Sequence, residues 1–152
     1  MTVKVKTFEQ LTTRELYEIL KLRSEVFIVE QRGCYQDLDG IDLESIHVFY
    51  ENEKQEVIGC IRIFRKKDER ATVQFGRLVI KERKKGLGRQ LIKDAQKIAE
   101  EKYGAEQLYL TGRESALGFY LKCGFYVDSP RLLAGSVPYY EFRCSIKNNI
   151  VK

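Results

Sequence analysis

The chain has 152 residues, and 27 lysines and arginines against 22 aspartates and glutamates give it a formal net charge of +5 with its one histidine neutral. A hydrophobic content of 43%, with nine tyrosines and eight phenylalanines, is ample for a packed core and argues against disorder. One histidine, and cysteines at 34, 60, 123 and 144 with none at metal-ligand spacing, disfavour both a zinc enzyme and a disulfide scaffold. A Ser-His-Asp hydrolase would rest on His47 alone, and no G-x-S-x-G turn is present. No apolar run approaches the ~18 residues of a membrane helix, and the first residues alternate rather than forming an export signal, so a cytoplasmic protein with reduced thiols is expected. Only Pro130 and Pro138 occur, with no linker, repeat or low-complexity stretch, so the expectation is a single domain over 1–152.

Val3, Val5 and Thr7 alternate with lysines and read as a first strand. Thr12-Thr13-Arg14-Glu15 is a capping box, and behind it Leu16, Ile19, Leu20, Arg23, Val26 and Phe27 fall on one helical face as far as about Glu30. Arg23 interrupts that otherwise apolar stripe. Residues 31–44 form a long, acidic, turn-rich loop, a feature often tied to function. Strands at about 46–51, 56–65 and 71–80 follow, joined by short polar turns that suit an antiparallel meander. From Gly86 the period becomes helical through Leu87, Leu91, Ile92, Ala95, Ile98 and Ala99, with Gly104 as the stop. A strand at Glu106–Thr111, a short helix at Glu114–Lys122 closed by Gly124, and strands at Phe125–Asp128 and Tyr139–Ile146 complete the order β-α-β-β-β-α-β-α-β-β. The expected fold is a mixed α/β sheet flanked by helices.

The segment that carries chemistry runs from Phe75 to Leu91, where a strand enters a basic, glycine-containing turn that opens an amphipathic helix. Helix N-termini offer unpaired N–H groups and partial positive charge, so anions dock there. Gly86 and Gly88 let the backbone approach phosphate oxygens, while Arg83, Lys84, Lys85 and Arg89 surround the spot with positive charge. A diphosphate is the natural occupant; the plainer alternative is a solvated basic turn. A Walker loop and a dinucleotide fingerprint both fail on spacing, because Arg89, Gln90 and Leu91 follow Gly86-Leu87-Gly88.

These residues resemble the GCN5-related N-acetyltransferase family. Arg83-Lys84-Lys85-Gly86-Leu87-Gly88 is similar to its Q/R-x-x-G-x-G/A signature, and Ala116 to Phe125 resembles its A-x-x-F-Y-x-x-x-G-F motif about 30 residues on. Val26–Gln31, Tyr35–Asp42, His47 and Gly76-Arg77 are similar to the ElaA-type subgroup. The resemblance covers nearly the whole chain. It implies the acetyltransferase fold, acetyl-CoA as acyl donor without a metal, and direct attack by a primary amine of a small molecule or peptide on the thioester. It also implies that backbone groups of Leu78, Val79 and Ile80 meet the pantetheine arm and thioester, and that Arg83, Lys84, Lys85, Gly86, Leu87, Gly88 and Arg89 hold the diphosphate. Tyr120 matches the tyrosine that protonates the departing thiolate; as a plain residue it also reads as a core aromatic.

Arg113 stands where many relatives carry Asn, and is expected either to reach a CoA phosphate or to pair with Glu114 or Glu106. Gly76 stands where many acetyltransferases place a Glu base, and Tyr139 replaces the histidine of the subgroup's G-I-P-H segment. Glu30, Asp37, Asp39, Asp42 and His47 are the candidates for receiving the amine or relaying its proton, against a solvated loop and a hydrogen-bonded structural histidine. The competing function is a non-catalytic acyl-CoA sensor or interaction module on the same fold. Nucleic-acid binding through Lys81–Lys85 and Arg65-Lys66-Lys67 is the weakest of the three readings, and exposed strand edges near the C-terminus allow a homodimer.

Overall fold

The computed structural model describes residues 1–83 and 86–146, and the fold is a mixed α/β arrangement of eight strands with helices. The strands are β1 Thr2–Thr7, β2 Ile46–Glu51, β3 Val57–Arg65, β4 Thr72–Ile80, β5 Gln107–Arg113, β6 Tyr126–Val127, β7 Leu132–Ala134 and β8 Val137–Ser145. The α-helices are α1 Thr13–Arg23, α2 Leu87–Tyr103 and α3 Leu117–Lys122. Two compact units divide the chain, Met1–Phe64 with Arg77–Ala95, and Arg65–Gly76 with the residues from Gln96 on.

In the first unit β1 pairs antiparallel with β2 from Thr2↔Glu51 to Thr7↔Ile46, and β2 pairs antiparallel with β3 from Ile46↔Ile63. The capping box forms as expected. Thr12 Oγ1 accepts the Glu15 N–H at 3.0 Å and the Glu15 carboxylate accepts the Thr12 N–H at 2.8 Å. Glu15 is buried, which opposes its ionisation, yet the Lys4 and Lys6 ammonium groups at 2.8 Å and the capping N–H prevail and hold its pKa at about 2. Ile19, Leu22 and Val26 pack with Phe49, Val57, Cys60 and Val79, with Phe27 against their edge. Ile19, Val26 and Phe27 of the stripe thus face the core together with Leu22, which the stripe omitted, while Leu16 and Leu20 are half-buried.

The helix departs from expectation at its C-terminal end. It is α-helical only to Arg23, and Ser24–Glu30 winds as a π-helix, with the Gln31 N–H donating to the Val26 carbonyl five residues back. Val26 stays inward on this wider turn, and Val29 and Glu30 are exposed. The loop beyond it contains a 3₁₀ turn, Ile41–Glu44.

In the second unit β4 pairs parallel with β5 from Thr72↔Gln107 to Gln74↔Tyr109, and β8 pairs antiparallel with β5, β6 and β7. The sequence reading omitted β7. A three-residue strand is too short to display alternation, and Pro138 opposite Leu133 suppresses the strand signal, but its missing N–H is tolerated where the pairing is this short. Glu114–Ala116 is a separate 3₁₀ turn ahead of α3, where one continuous helix was expected.

Candidate functional site

Helix α2 begins where the basic turn was expected to open a helix, and no acidic residue occupies its first turn. Its first internal bond runs from the Gln90 N–H to the Gly86 carbonyl at 3.1 Å, so the amides of Leu87, Gly88 and Arg89 lie outside the helical ladder. Gly86 adopts φ +68, and a Cβ built there would meet nothing within 4 Å. Among the described residues nothing crowds Gly86, and its backbone turn is one that side-chain-bearing residues take only with strain. Arg83 and Arg89 are exposed beside it. Arg83 donates to the Glu30 carboxylate at 2.9 Å, with the two side chains 65% and 58% exposed. Lys84 and Lys85, also expected at this turn, lie outside the described residues.

Upstream, Val79 is buried in the first unit's core and the Ile80 side chain abuts Gly59. Lys81 donates its N–H to the Ile58 carbonyl at 2.9 Å. Leu78 and Ile80 are half-buried. Arg77, at the head of this segment, takes φ +52 inside strand β4.

The acidic loop is engaged by arginines. Arg23, the residue that broke the apolar stripe, is 1% exposed and forks onto both Asp42 oxygens at 2.7 and 3.1 Å. Its Nε donates to Asp37 at 3.0 Å. Arg62 forks onto Asp39 at 2.8 and 2.7 Å and reaches Asp42 at 3.2 Å. Arg77 donates to Asp37 at 2.7 Å and to Asp39 at 3.3 Å, with its guanidinium 5.4 Å from the Tyr35 ring centre. The Arg62 guanidinium holds the Asp39 carboxyl down at about pH 2. Burial pushes Asp42 toward the neutral form, but Arg23 and Arg62 overcome it and keep its pKa low. His47 is 2% exposed, its Nε2 lies 2.9 Å from the Asp42 carbonyl, and burial lowers its pKa, so it sits as a neutral donor.

Of the expected amine-receiving groups, Asp37, Asp39, Asp42 and His47 are thus gathered into one cluster, and Glu30 stands apart, exposed at the end of the π-helix. Sequence reading missed Arg62 and the pairing role of Arg23. Both carried a signal, since a charged residue inside an apolar run must find a buried partner, and three aspartates at 37, 39 and 42 were available.

In the second unit Tyr120 packs among Phe119, Phe125 and Phe142 at centroid distances of 5.2, 6.2 and 5.1 Å. Burial pushes its phenol up to about 12, so it remains protonated at neutral pH. A Cβ at Gly112 would stand 2.5 Å from the Tyr120 ring, so this glycine makes the seat for the tyrosine. Gly112→Ala is expected to destabilise the fold by about 1–3 kcal/mol through overpacking; chemical denaturation with an unchanged midpoint would show that the ring can step aside. Arg113 makes no ion pair among the described residues, because Glu114 is held by Arg131 at 2.8 Å and by the Tyr140 hydroxyl at 3.1 Å.

Among the described residues there is no group of three or more His, Cys, Asp or Glu side chains placed for a metal ion, and no helix is long and apolar enough to cross a membrane. Cys34, Cys60, Cys123 and Cys144 are reduced, with no disulfide among them.

Residues 42–127 match the family model of the acetyltransferase (GNAT) domain. The UPF0039 protein C11D3.02c of Schizosaccharomyces pombe is 32% identical over 144 residues, 93% of this chain and 95% of that protein. ElaA of Escherichia coli is 31% identical over 121 residues, 76% of this chain and 78% of its own, and its crystal structure matches with a TM-score of 0.85 over 95% of this chain and 99% of that one. The crystal structure of an acyl-CoA N-acyltransferase from Pseudomonas aeruginosa, 29% identical, matches with a TM-score of 0.86 over 95% and 100%. The open start of α2, seated where the glycine turn was expected, and these matches agree on one assignment: the chain belongs to the GNAT acetyltransferase family and is ElaA-like.

Proposed function

We propose that this chain, acting as one acetyltransferase domain over residues 1–152, transfers the acetyl group of acetyl-CoA to a primary amine of a small molecule or peptide. The observation that carries the reading is the start of α2, where three amides outside the ladder, an uncrowded Gly86 and the exposed Arg83 and Arg89 offer a diphosphate both donors and positive charge. Lys84 and Lys85 would add charge, and Arg113, unpaired among the described residues, is proposed to reach a further phosphate.

The neutral amine nitrogen attacks the thioester carbon, and the carbonyl electron pair moves onto oxygen. Backbone N–H groups of Leu78–Ile80 are proposed to stabilise that oxyanion, a contribution of about 3–4 kcal/mol where a single such donor has been removed. Collapse expels the thiolate, which takes the Tyr120 phenol proton, while the attacking nitrogen sheds its surplus proton to solvent water and the Tyr120 phenolate regains a proton from solvent. Because a thiol pKa of ~8.5 already makes a fair leaving group, Tyr120→Phe is expected to lower kcat by no more than about a hundredfold, the low end of general-acid contributions, with acetyl-CoA affinity unchanged. Steady-state kinetics check this, and an equal loss of affinity would make Tyr120 a packing residue instead. Glu30, the most exposed carboxylate of the candidate set, is proposed to meet the cationic amine.

The test is incubation with acetyl-CoA and a panel of polyamines, amino sugars and lysyl peptides, following CoA release. No release above background counts against the reading. A sensor function is the second reading, favoured by the arginines that already occupy Asp37, Asp39 and Asp42 and by Gly76 at the position of a glutamate base. Calorimetric CoA binding without turnover on any amine would select it.

A further inference from the structure

We propose that Arg77 is a positioning residue, clamped by the acidic loop so that strand β4 turns and presents the Leu78–Ile80 backbone to the acyl donor. The inference rests on the reading of that backbone as the seat of the thioester arm. Its starting point is a conformation at odds with the residue. Arg77 takes φ +52 in mid-strand, although Gly76 beside it could take a positive φ without steric penalty. Strain of this kind persists only where the surroundings over-determine it, and here the surroundings grip the side chain.

The grip is a relay of charge-assisted hydrogen bonds that ends in the core. Arg77 Nε donates to Asp37 Oδ1 at 2.7 Å, its Nη2 donates to the Asp37 carbonyl at 3.2 Å and to Asp39 Oδ2 at 3.3 Å, and its plane lies over Tyr35. Asp37 Oδ2 is held in turn by Arg23 Nε at 3.0 Å, and Arg23 is fixed by its fork onto buried Asp42. Asp39 is fixed by its fork onto Arg62. A planar guanidinium with two anchored carboxylates on it has little freedom to rotate, so the backbone that carries it is held as well.

The far end of the segment is tied too, by the Lys81 N–H on the Ile58 carbonyl at 2.9 Å and by Val79 in the core. Leu78–Ile80 is therefore a span of three residues pinned at both ends. Among the described residues, the β4–β5 register covers Thr72–Gln74 and stops ahead of the turn. The acidic loop thereby acts on the cofactor strand through Arg77.

Arg77→Gly separates the clamp from the backbone, since glycine permits the positive φ but nothing holds it, and Asp37 and Asp39 keep Arg23 and Arg62 as partners. Asp37→Asn weakens the same clamp from the other side, and Arg77→Lys keeps the charge without the fork. Calorimetry with acetyl-CoA and amide hydrogen exchange are read on all three and on the wild type. Expected is at least a tenfold rise in Kd for Arg77→Gly, a smaller rise for Arg77→Lys and Asp37→Asn, and at least tenfold faster exchange at residues 78–80, with Val48 and Ile61 amides unchanged. Wild-type affinity in Arg77→Gly overturns the positioning role and leaves the proposed function standing. Faster exchange at Val48 and Ile61 as well would mark general loosening and also overturn it. A wild-type protein that does not bind acetyl-CoA overturns the function and this role together.

Discussion

Arg23→Ala is expected to lower folding stability by about 3–5 kcal/mol, the range found when one partner of a buried ion pair is removed. Arg23 is 1% exposed and satisfies two carboxylates, forked onto Asp42 and bonded through Nε to Asp37. Removing it leaves Asp42, itself buried, with only the 3.2 Å contact to Arg62, and opens a void where a long side chain stood. Both effects act in the same direction, an under-compensated buried charge and lost packing. The remaining compensation is for Asp42 to take up a proton, so its pKa rises and the loss becomes smaller as pH falls into the carboxylate range. Urea unfolding at neutral and at mildly acidic pH measures this. A loss below about 1 kcal/mol, the level of an exposed pair, would mean the network is solvated in the working protein.

Gly86→Asp is expected to weaken acetyl-CoA binding by at least about a hundredfold, equivalent to roughly 2.7 kcal/mol. Two mechanisms add. The residue sits at φ +68, where a side chain is strained, so the turn that aims the Leu87–Arg89 amides is displaced. A carboxylate also lies on the axis of the helix start, where it would satisfy the amides itself and repel a diphosphate. Gly86→Ala separates the two, because it adds the strain without the charge, and a loss of about tenfold or less is expected there. Calorimetric titration of both variants reads the difference. Equal, near-wild-type affinity in both would place the anion elsewhere on the molecule.

Much of the fold was readable residue by residue. The alternation of Val3, Val5 and Thr7, the Thr12–Glu15 box and the helical spacing from Leu87 to Ala99 each lie within one element, where periodicity and capping chemistry act over a few residues. The helix start at Gly86 was legible for the same reason, since a turn, a basic cluster and a helix N-terminus are contiguous. Strand β7 was not, because three residues cannot show a period, and neither was the π pitch of Ser24–Glu30, which leaves the apolar stripe nearly intact.

The sequence by itself determined the family, the glycine-led start of helix α2 and the order of elements apart from β7, all of them written in neighbouring residues. Only the tertiary structure decided what the acidic loop does. Asp37 and Arg77 are 40 positions apart and Asp39 and Arg62 are 23 apart, so nothing local pairs them. A carboxylate in a loop reads as equally ready for substrate, solvent or an arginine. The choice falls to the arginine that burial has deprived of water, because a desolvated charge takes the nearest opposite charge the fold delivers.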